Sequence, residues 1–357
     1  MEMRIKFAFA ALAGALLCIG VGSHASAAEK VRVGICVSWP NYSFYEVVKQ
    51  KNLAPDYDIE QTVFEDPVGG HSALAAGQID VYYCTGDYTP IAVASGTDTV
   101  NVAFTSPSYG VDQIILVPGI TPETLKGKKV AAPQAYIGHL LMGLYLDSIG
   151  IKPGDVQWVN LNADEAVGPV MSGDLAAAYM YEPWISKVTA QMKDAKSVAN
   201  TTEPRYLQTG IFSDVLYMNK KFIAAHRKTA VDMLRAHFQA VQYWHDHTDE
   251  VNQLFADFLK WPLGDVQATI GTNGKFLEGG TYTYDFDEAA RFCGVLDGDG
   301  PLGTKHGGMI DTVKLTNEWW VKLGLMQKTV DAAAGVDCSL MGDLVKEGFR
   351  QAIAARQ

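Results

Sequence analysis

The chain has 357 residues, of which 48% are hydrophobic and 19% are charged, and its formal net charge at neutral pH is −11. The length favours two lobes over one simple core, and the composition is that of an ordinary globular protein. An acidic chain has no electrostatic reason to bind nucleic acid or an anionic membrane surface, so we expect neither partner and a monomer.

The first residues have the pattern of an export signal. A basic start precedes an apolar run over 7–21, and the small-residue motif Ala-Ser-Ala follows at 25–27. The apolar run is too short and too rich in alanine and glycine for a convincing membrane span. We therefore predict a signal peptide over 1–28, cleaved near Ala27 or Ala28, and a mature periplasmic protein.

Short apolar runs alternate with helical patterns in the next part of the chain. The predicted strands cover 31–37, 57–64, 79–84, 100–104 and 111–117. The predicted helices between them cover 45–51, 72–76 and 90–95. Strands that alternate with helices over short links favour a parallel α/β sheet.

A second α/β pattern begins after residue 118. Its predicted strands cover 128–132, 156–159 and 175–180, and its helices cover 137–149, 164–171 and 185–192. The chain then returns through 208–212 to a strand over 215–218 and to helices over 228–247, 251–259, 315–323 and 345–354. The second unit is therefore inserted into the first.

This insertion predicts an α/β protein with two lobes. Lobe I comprises 29–117 and 213–357, and lobe II comprises 118–212. Two links between two lobes make a hinge, with a cleft that closes on a ligand.

Four cysteines follow the predicted signal peptide, namely Cys36, Cys84, Cys293 and Cys338. An oxidising compartment permits disulfides, but four cysteines allow three complete pairings, and buried free thiols remain an alternative. Their spacing is too wide for a zinc site, and we predict neither a metal nor a cofactor.

Five stretches of the chain match one family in the family's order. They are WPNY at 39–42, ALAAGQID at 73–80, LKGKKVA at 125–131, DSIGIKPGDV at 147–156, and MSGDLAA at 171–177 followed by Glu182-Pro183. The chain thus resembles the periplasmic solute-binding proteins of ABC importers of the nitrate/sulfonate/taurine type, which include binders of the thiamine pyrimidine precursor. The resemblance is weak beyond about residue 250.

The resemblance implies a type II periplasmic-binding-protein fold, with two lobes joined by a two-strand hinge around a ligand cleft. It implies capture of a small solute and delivery to an ABC permease with its cytoplasmic ATPase. It does not identify the solute, and a sensing role without transport stays open.

Ligands of such folds contact the loops at the carboxyl ends of strands. This rule, with the resemblance, selects as candidate ligand-binding residues Ser38, Trp39, Tyr42, Thr85, Asp87, Tyr88, Tyr109, Gln134, Tyr136, His139, Tyr181, Glu182, Trp184 and Asp214. Structural alternatives stand beside this interpretation: Asp87 can cap a helix, and His139 can be a packing residue. Glu182 either faces a ligand between two aromatic residues or belongs to a simple turn from strand to helix.

The start of the helix near residue 137 departs from the family pattern. Anion-binding members place serine or threonine there, whereas this chain has Pro-Gln-Ala-Tyr-Ile-Gly at 133–138. Several candidate carboxylates and many aromatic residues instead suit an amine, a guanidino compound or an aminated heterocycle. One alternative is a sulfonate, taurine or nitrate-like anion.

A second alternative is an enzyme of the same fold. The family's fold is shared by a pyrimidine-precursor synthase that uses pyridoxal phosphate and carries a dense cysteine motif. This chain has an export signal, and Cys36 and Cys84 stand alone. We therefore predict a binding protein and not an enzyme.

Overall fold

The structure, a computed structural model, describes residues 28–354. The predicted signal peptide falls outside these residues apart from Ala28. Among the residues described, no helix is both long enough and apolar enough to cross a bilayer.

Strands and helices alternate through most of the described chain as far as β10, except that β5 follows β4 directly. The strands are β1 (Glu29–Ile35), β2 (Tyr57–Val63), β3 (Val81–Thr85), β4 (Thr99–Tyr109), β5 (Asp112–Leu116), β6 (Lys129–Ala131), β7 (Gln157–Val159), β8 (Ala177–Tyr181), β9 (Lys196–Asn200), β10 (Ser213–Asn219) and β11 (Gly280–Thr281). The helices are α1 (Phe44–Gln50), α2 (Pro67–Ala75), α3 (Thr89–Ala94), α4 (Ile137–Ser148), α5 (Ala163–Ser172), α6 (Trp184–Gln191), α7 (Pro204–Leu207), α8 (Lys220–Ala225), α9 (Arg227–Asp246), α10 (Thr248–Leu259), α11 (Leu263–Ile270), α12 (Phe286–Cys293), α13 (Met309–Lys322) and α14 (Ser339–Lys346).

These strands form two sheets, one in each lobe. The first has the order β11-β4-β10-β3-β1-β2, and the second has the order β7-β6-β8-β5-β9. In the first sheet β1 runs parallel to β2 and β3, whereas β10 runs antiparallel to both β3 and β4. All residues of β3 and β10 are buried, which explains why these central strands read as near-continuous apolar runs. The predicted two-lobed α/β fold is thus observed.

The chain first crosses between the lobes at Gly110. This glycine has a φ of 105°, and a Cβ there would lie 3.0 Å from the Cα of Gly279, so glycine suits both the backbone conformation and the space. The next strand, β5, pairs with β8 and β9 in the second sheet. The crossing therefore lies before the predicted boundary between residues 117 and 118, and β5 groups with lobe II.

Several elements differ from the sequence-based expectation. The helix predicted over 345–354 is wrong, because the last helix ends at Lys346 and Gly348 follows with a φ of 80°. Beyond it, the Gln351 amide donates to Asp287, so the tail is held by tertiary contacts. Helix α2 starts earlier than predicted, since Asp66 accepts two amide hydrogen bonds from its first turn.

Two disulfides connect the four cysteines of the described chain. Cys36 pairs with Cys84, and Cys293 pairs with Cys338. The first bond joins the chain just after β1 to β3. The loops that leave these neighbouring strands are thereby held close together.

Helix α13 contacts both lobes. The Trp320 indole nitrogen donates to the Asp87 carbonyl oxygen of lobe I at 2.6 Å. Lys322 forms an ion pair of 2.7 Å with Asp147 in α4 of lobe II. The C-terminal region is therefore a bridge between the lobes, in addition to the crossing strands.

Candidate functional site: a pocket between the lobes

A pocket lies between the lobes, at the ends of strands from both sheets. Its empty space, including the solvent-facing mouth, is about 370 Å³. The residues that line it are Val37, Trp39, Tyr42, Thr85, Ser108, Val111, Asp112, Tyr136, Ile137, Tyr179, Tyr181, Phe212, Asp214 and Thr281.

The loop after β1 supplies two aromatic walls. It turns through a single 3-10 turn over Pro40–Tyr42, for which proline is well suited at the first position. The Trp39 ring meets Tyr181 edge-on at 5.5 Å between centroids and Trp261 at 6.3 Å. Packing on two sides therefore fixes the orientation of Trp39.

Asp214 is the lobe I carboxylate of the pocket. It lies near the start of β10 and accepts hydrogen bonds from the Tyr42 hydroxyl at 2.7 Å and the Ser106 hydroxyl at 2.8 Å. Burial raises the pKa of Asp214 to about 7, although these two hydrogen bonds act in the opposite direction, and the charge of Asp112 raises it further. A nearby positive charge would therefore stabilise the ionised form of this carboxylate.

Asp112 is the lobe II carboxylate of the pocket. It opens β5, is only 6% exposed, and accepts a hydrogen bond from the Tyr179 hydroxyl. Burial raises the pKa of Asp112, while the hydroxyls of Tyr179 and Ser108 lower it. Sequence reasoning missed this residue because it falls inside a predicted strand. The signal was a lone acidic residue in the otherwise uncharged run 111–117.

The electrostatic character of the pocket follows from these two carboxylates. Of the lining residues within the described chain, none is lysine, arginine or histidine. A buried carboxylate without a compensating cation is costly, and two near each other are more so. The pocket therefore favours a positively charged group. Between residues 28 and 354, no cluster of three or more His, Cys, Asp or Glu side chains could hold a metal ion.

The amino end of α4 also reaches the pocket. Tyr136 and Ile137 line it, and no side chain caps the helix at Tyr136. Burial raises the pKa of Tyr136 well above its usual value, so its hydroxyl keeps its proton. A helix amino end carries partial positive charge and unsatisfied amides, and so can accommodate an anionic group.

The structure brings six of the predicted ligand-binding residues together at the pocket, namely Trp39, Tyr42, Thr85, Tyr136, Tyr181 and Asp214. The others lie outside its lining: Ser38, Asp87, Tyr88, Tyr109, Gln134, His139, Glu182 and Trp184.

Glu182, which the sequence placed between two aromatic residues, interacts with the turn into α6. Its carboxylate accepts the Ser186 amide at 3.2 Å. The neighbouring Trp184 ring lies under the Lys187 ammonium group, 4.0 Å from the ring centroid. These contacts are those of the alternative interpretation, a turn from strand to helix.

Other predicted residues outside the lining have partners of their own. Ser38 bonds to the Glu65 carboxylate, and Tyr88 stacks on His71 with 3.7 Å between centroids. Tyr109 packs edge-on against Phe276.

Gln134 and His139 line a separate groove. The His139 ring packs against Trp158, with 4.5 Å between the ring centroids. Burial lowers the pKa of His139 to about 4, so the imidazole is neutral at physiological pH.

Asp87 lies behind the pocket wall. It is 1% exposed, and neither carboxylate oxygen has a hydrogen-bond partner among the described residues. Burial raises the pKa of Asp87 to about 7; the nearby Thr85 hydroxyl favours the charged form although it falls outside hydrogen-bond geometry. Asp87 thus contributes to the field of the pocket without lining it.

The sequence analysis also missed a pocket-lining residue from the C-terminal half. Thr281 lies in β11, which pairs with β4. It comes from the region beyond residue 250, where the family resemblance carries no motif. The other lining residues that were not predicted are Val37, Val111, Ile137, Tyr179 and Phe212, whereas Ser108 belongs to the stretch 106–109 expected to follow the fourth strand.

Known proteins resemble this chain in sequence and in fold. The sequence model described as NMT1/THI5 like matches residues 58–251. The taurine-binding periplasmic protein of Escherichia coli (strain K12) is 24% identical over 231 residues, covering 63% of this chain and 69% of that protein.

Solved structures share the fold. The alkanesulfonate-binding protein SsuA from Xanthomonas axonopodis pv. citri, bound to MOPS, has a TM-score of 0.66 at 18% identity, covering 86% of this chain and 98% of that one. The periplasmic nitrate-binding protein NrtA from Synechocystis PCC 6803 has a TM-score of 0.62 at 12% identity, covering 89% and 88%. These matches confirm the predicted periplasmic-binding fold. Since the family match spans more than half of the chain, this protein belongs to the NMT1/THI5-like family.

Proposed function

We propose that this protein is the periplasmic solute-binding protein of an ABC importer, and that its solute carries a positively charged, nitrogen-containing group. One observation carries the choice of solute. Asp112 and Asp214, one from each lobe, are buried in a pocket whose described lining has no basic side chain. Amines, guanidino compounds and aminated heterocycles have the complementary charge.

The placement of the two carboxylates links binding to closure. Because Asp112 belongs to β5 and Asp214 to β10, a cation contacts both only when the lobes approach each other. A ligand shifts such an equilibrium by its difference in affinity for the two states. The rings of Trp39 and Tyr181 add aromatic surface on which a cation is favourable.

The relatives support the transport role. They include a protein named for taurine binding in the periplasm and a solved ligand-binding component of an ABC-type import system from Staphylococcus aureus. The expected partners are therefore a small solute, a permease and its ATPase. Because the relatives are binding proteins, they favour capture and delivery over catalysis.

An aminosulfonate such as taurine is the second candidate solute. The amino end of α4 at Tyr136 and Ile137 can accept an anionic group, while the two carboxylates accept an ammonium group. A taurine-binding relative supports the same choice. Nitrate and simple sulfonates have no cationic part, and the pocket suits them least.

Calorimetric titration of the mature protein tests the charge preference. Taurine and ethanesulfonate form a matched pair, because they differ only by the ammonium group. We expect taurine, propylamine and propylguanidine to bind more tightly than ethanesulfonate or nitrate. Equal affinity for taurine and ethanesulfonate, with no binding of the two cations, would contradict the proposed solute class.

A further inference from the structure

Several hydroxyl groups at the pocket have their protons already engaged. Tyr42 and Ser106 donate to Asp214, and Tyr179 donates to Asp112. At a pH where both carboxylates are ionised, such as pH 8, they have no proton to offer, so each of these hydroxyls is the donor in its bond. Tyr42 and Tyr179 line the pocket, and with their protons engaged their oxygens have only lone pairs to offer a bound molecule.

Thr281 is a third lining residue whose hydroxyl proton is engaged within the protein. Its hydroxyl donates to the Asn41 side-chain oxygen at 3.1 Å, while the Asn41 amide nitrogen donates to Thr283 at 3.0 Å. All three residues are at most 2% exposed. With its proton held by Asn41, the Thr281 oxygen also presents a lone pair to the pocket.

We propose that this pocket recognises its solute through several N–H donors, with the oxygens of Tyr42, Tyr179 and Thr281 accepting beside the carboxylates of Asp112 and Asp214. This inference rests on the proposed function and narrows it. Guanidinium, primary ammonium and ring amino groups match such a surface, whereas a fully alkylated ammonium has the charge but no N–H to donate. Thr281 is thereby assigned as a specificity-determining residue.

The free-energy cost of leaving buried acceptors unpaired determines how strongly the pocket should discriminate between solutes. A site built from buried hydrogen-bonding groups strongly rejects an analogue that leaves those groups unpaired. The Tyr136 hydroxyl lies on a residue that lines the pocket and keeps its proton, so it can donate to an acceptor elsewhere on the solute. Selectivity for N–H donors is thus compatible with a solute that also carries a carbonyl or anionic end.

A matched ligand series tests the proposal by calorimetry. We expect propylguanidine and propylamine to bind at least tenfold more tightly than propyltrimethylammonium. Equal or tighter binding of the trimethyl compound would overturn the N–H selectivity and leave the proposed charge preference standing. If none of the three cations binds while ethanesulfonate does, the proposed function fails along with this inference.

A matched pair of variants tests the role of Thr281. Thr281→Val and Thr283→Val each remove one hydroxyl that contacts Asn41, but only Thr281 lines the pocket. We expect T281V to weaken propylguanidine binding about fivefold, the scale of one hydrogen bond, without affecting the trimethyl compound, and T281S to restore it. We expect T283V to bind like wild type. Equal losses in T281V and T283V, or no loss in T281V, would refute direct recognition by Thr281.

Discussion

Replacing Asp214 by asparagine keeps the size of the side chain and removes its charge. Truncating one partner of a buried, hydrogen-bonded charge pair costs about 2–5 kcal/mol. Because Asp112 remains as a second counter-ion, we take the lower end, about 2 kcal/mol. At about 1.4 kcal/mol per tenfold change, D214N should raise the Kd for a cationic solute about 30-fold.

The same substitution should act differently on the unliganded protein. At pH 8 the wild-type carboxylate is largely ionised while buried, since its pKa is about 7. Asparagine removes that desolvation cost and forfeits one of two hydrogen bonds, from Tyr42 or Ser106. We therefore expect the Tm of unliganded D214N at pH 8 to be no lower than that of wild type.

Calorimetry with propylguanidine and thermal unfolding at pH 8 measure the two effects. Asp98→Asn is a suitable control, because Asp98 is a half-exposed carboxylate paired with Lys221 and lies outside the pocket. The reasoning is refuted if D214N binds as tightly as wild type, or if D98N loses as much affinity as D214N.

Three other predictions concern pH, a turn and a buried ion. Asp87 and Asp214 have pKa values near 7 in the folded protein, against about 4 in an unfolded chain, so between pH 4 and 7 the folded form binds more protons. The free energy of unfolding should therefore fall as the pH rises from 4 to 7, by up to about 1.4 kcal/mol per pH unit for each of the two groups. D87N should make the Tm of the unliganded protein less dependent on pH. Equal slopes of Tm against pH for D87N and wild type would contradict the raised pKa of Asp87. E182Q should leave the calorimetric Kd unchanged, because Glu182 bonds to the Ser186 amide and not to the pocket, and a tenfold loss would restore Glu182 to the site. K275M should lower the free energy of unfolding, measured in urea, by about 3–5 kcal/mol. Lys275 is 2% exposed, and its two carboxylate partners would be left without a cation. An unchanged urea midpoint would contradict this.

The parts of the site that follow strand ends were predictable from sequence. Trp39, Tyr42 and Thr85 come directly after central strands, and the carboxyl ends of such strands meet at one edge of a sheet. Asp214 was predicted from the family resemblance, which implies a ligand contact just beyond the return crossing. Position along a strand is a local property, so pattern reasoning detects it.

Other parts of the site depend on contacts that no local pattern encodes. Asp112 sits in a strand whose partners come from both sides, so its burial was invisible in a run of apolar neighbours. Thr281 reaches the pocket only because β11 pairs with β4, far away in sequence. Glu182 lies outside the pocket lining and accepts the Ser186 amide, because an acidic residue between aromatic residues also suits a helix start.

The fold shows the same division. Long amphipathic segments such as α4 and α9 were predicted close to their observed bounds. The short edge strand β9 and helices α11 and α12 were not predicted, since brief segments carry little periodicity. The tail after Lys346 was predicted as helix, but residues 347–354 form no helix, and the Gln351 amide donates to Asp287.

The bridge formed by α13 has a consequence for how far the cleft opens. Rotation about the crossing at Gly110 changes the separation between Asp87 and Asp147, which α13 joins through Trp320 and Lys322. A helix does not stretch, so wide opening must break one of these contacts. The unliganded protein should therefore stay closer to its closed conformation than it would if only the crossing strands joined the lobes. Less of the solute's binding energy is then consumed in drawing the lobes together.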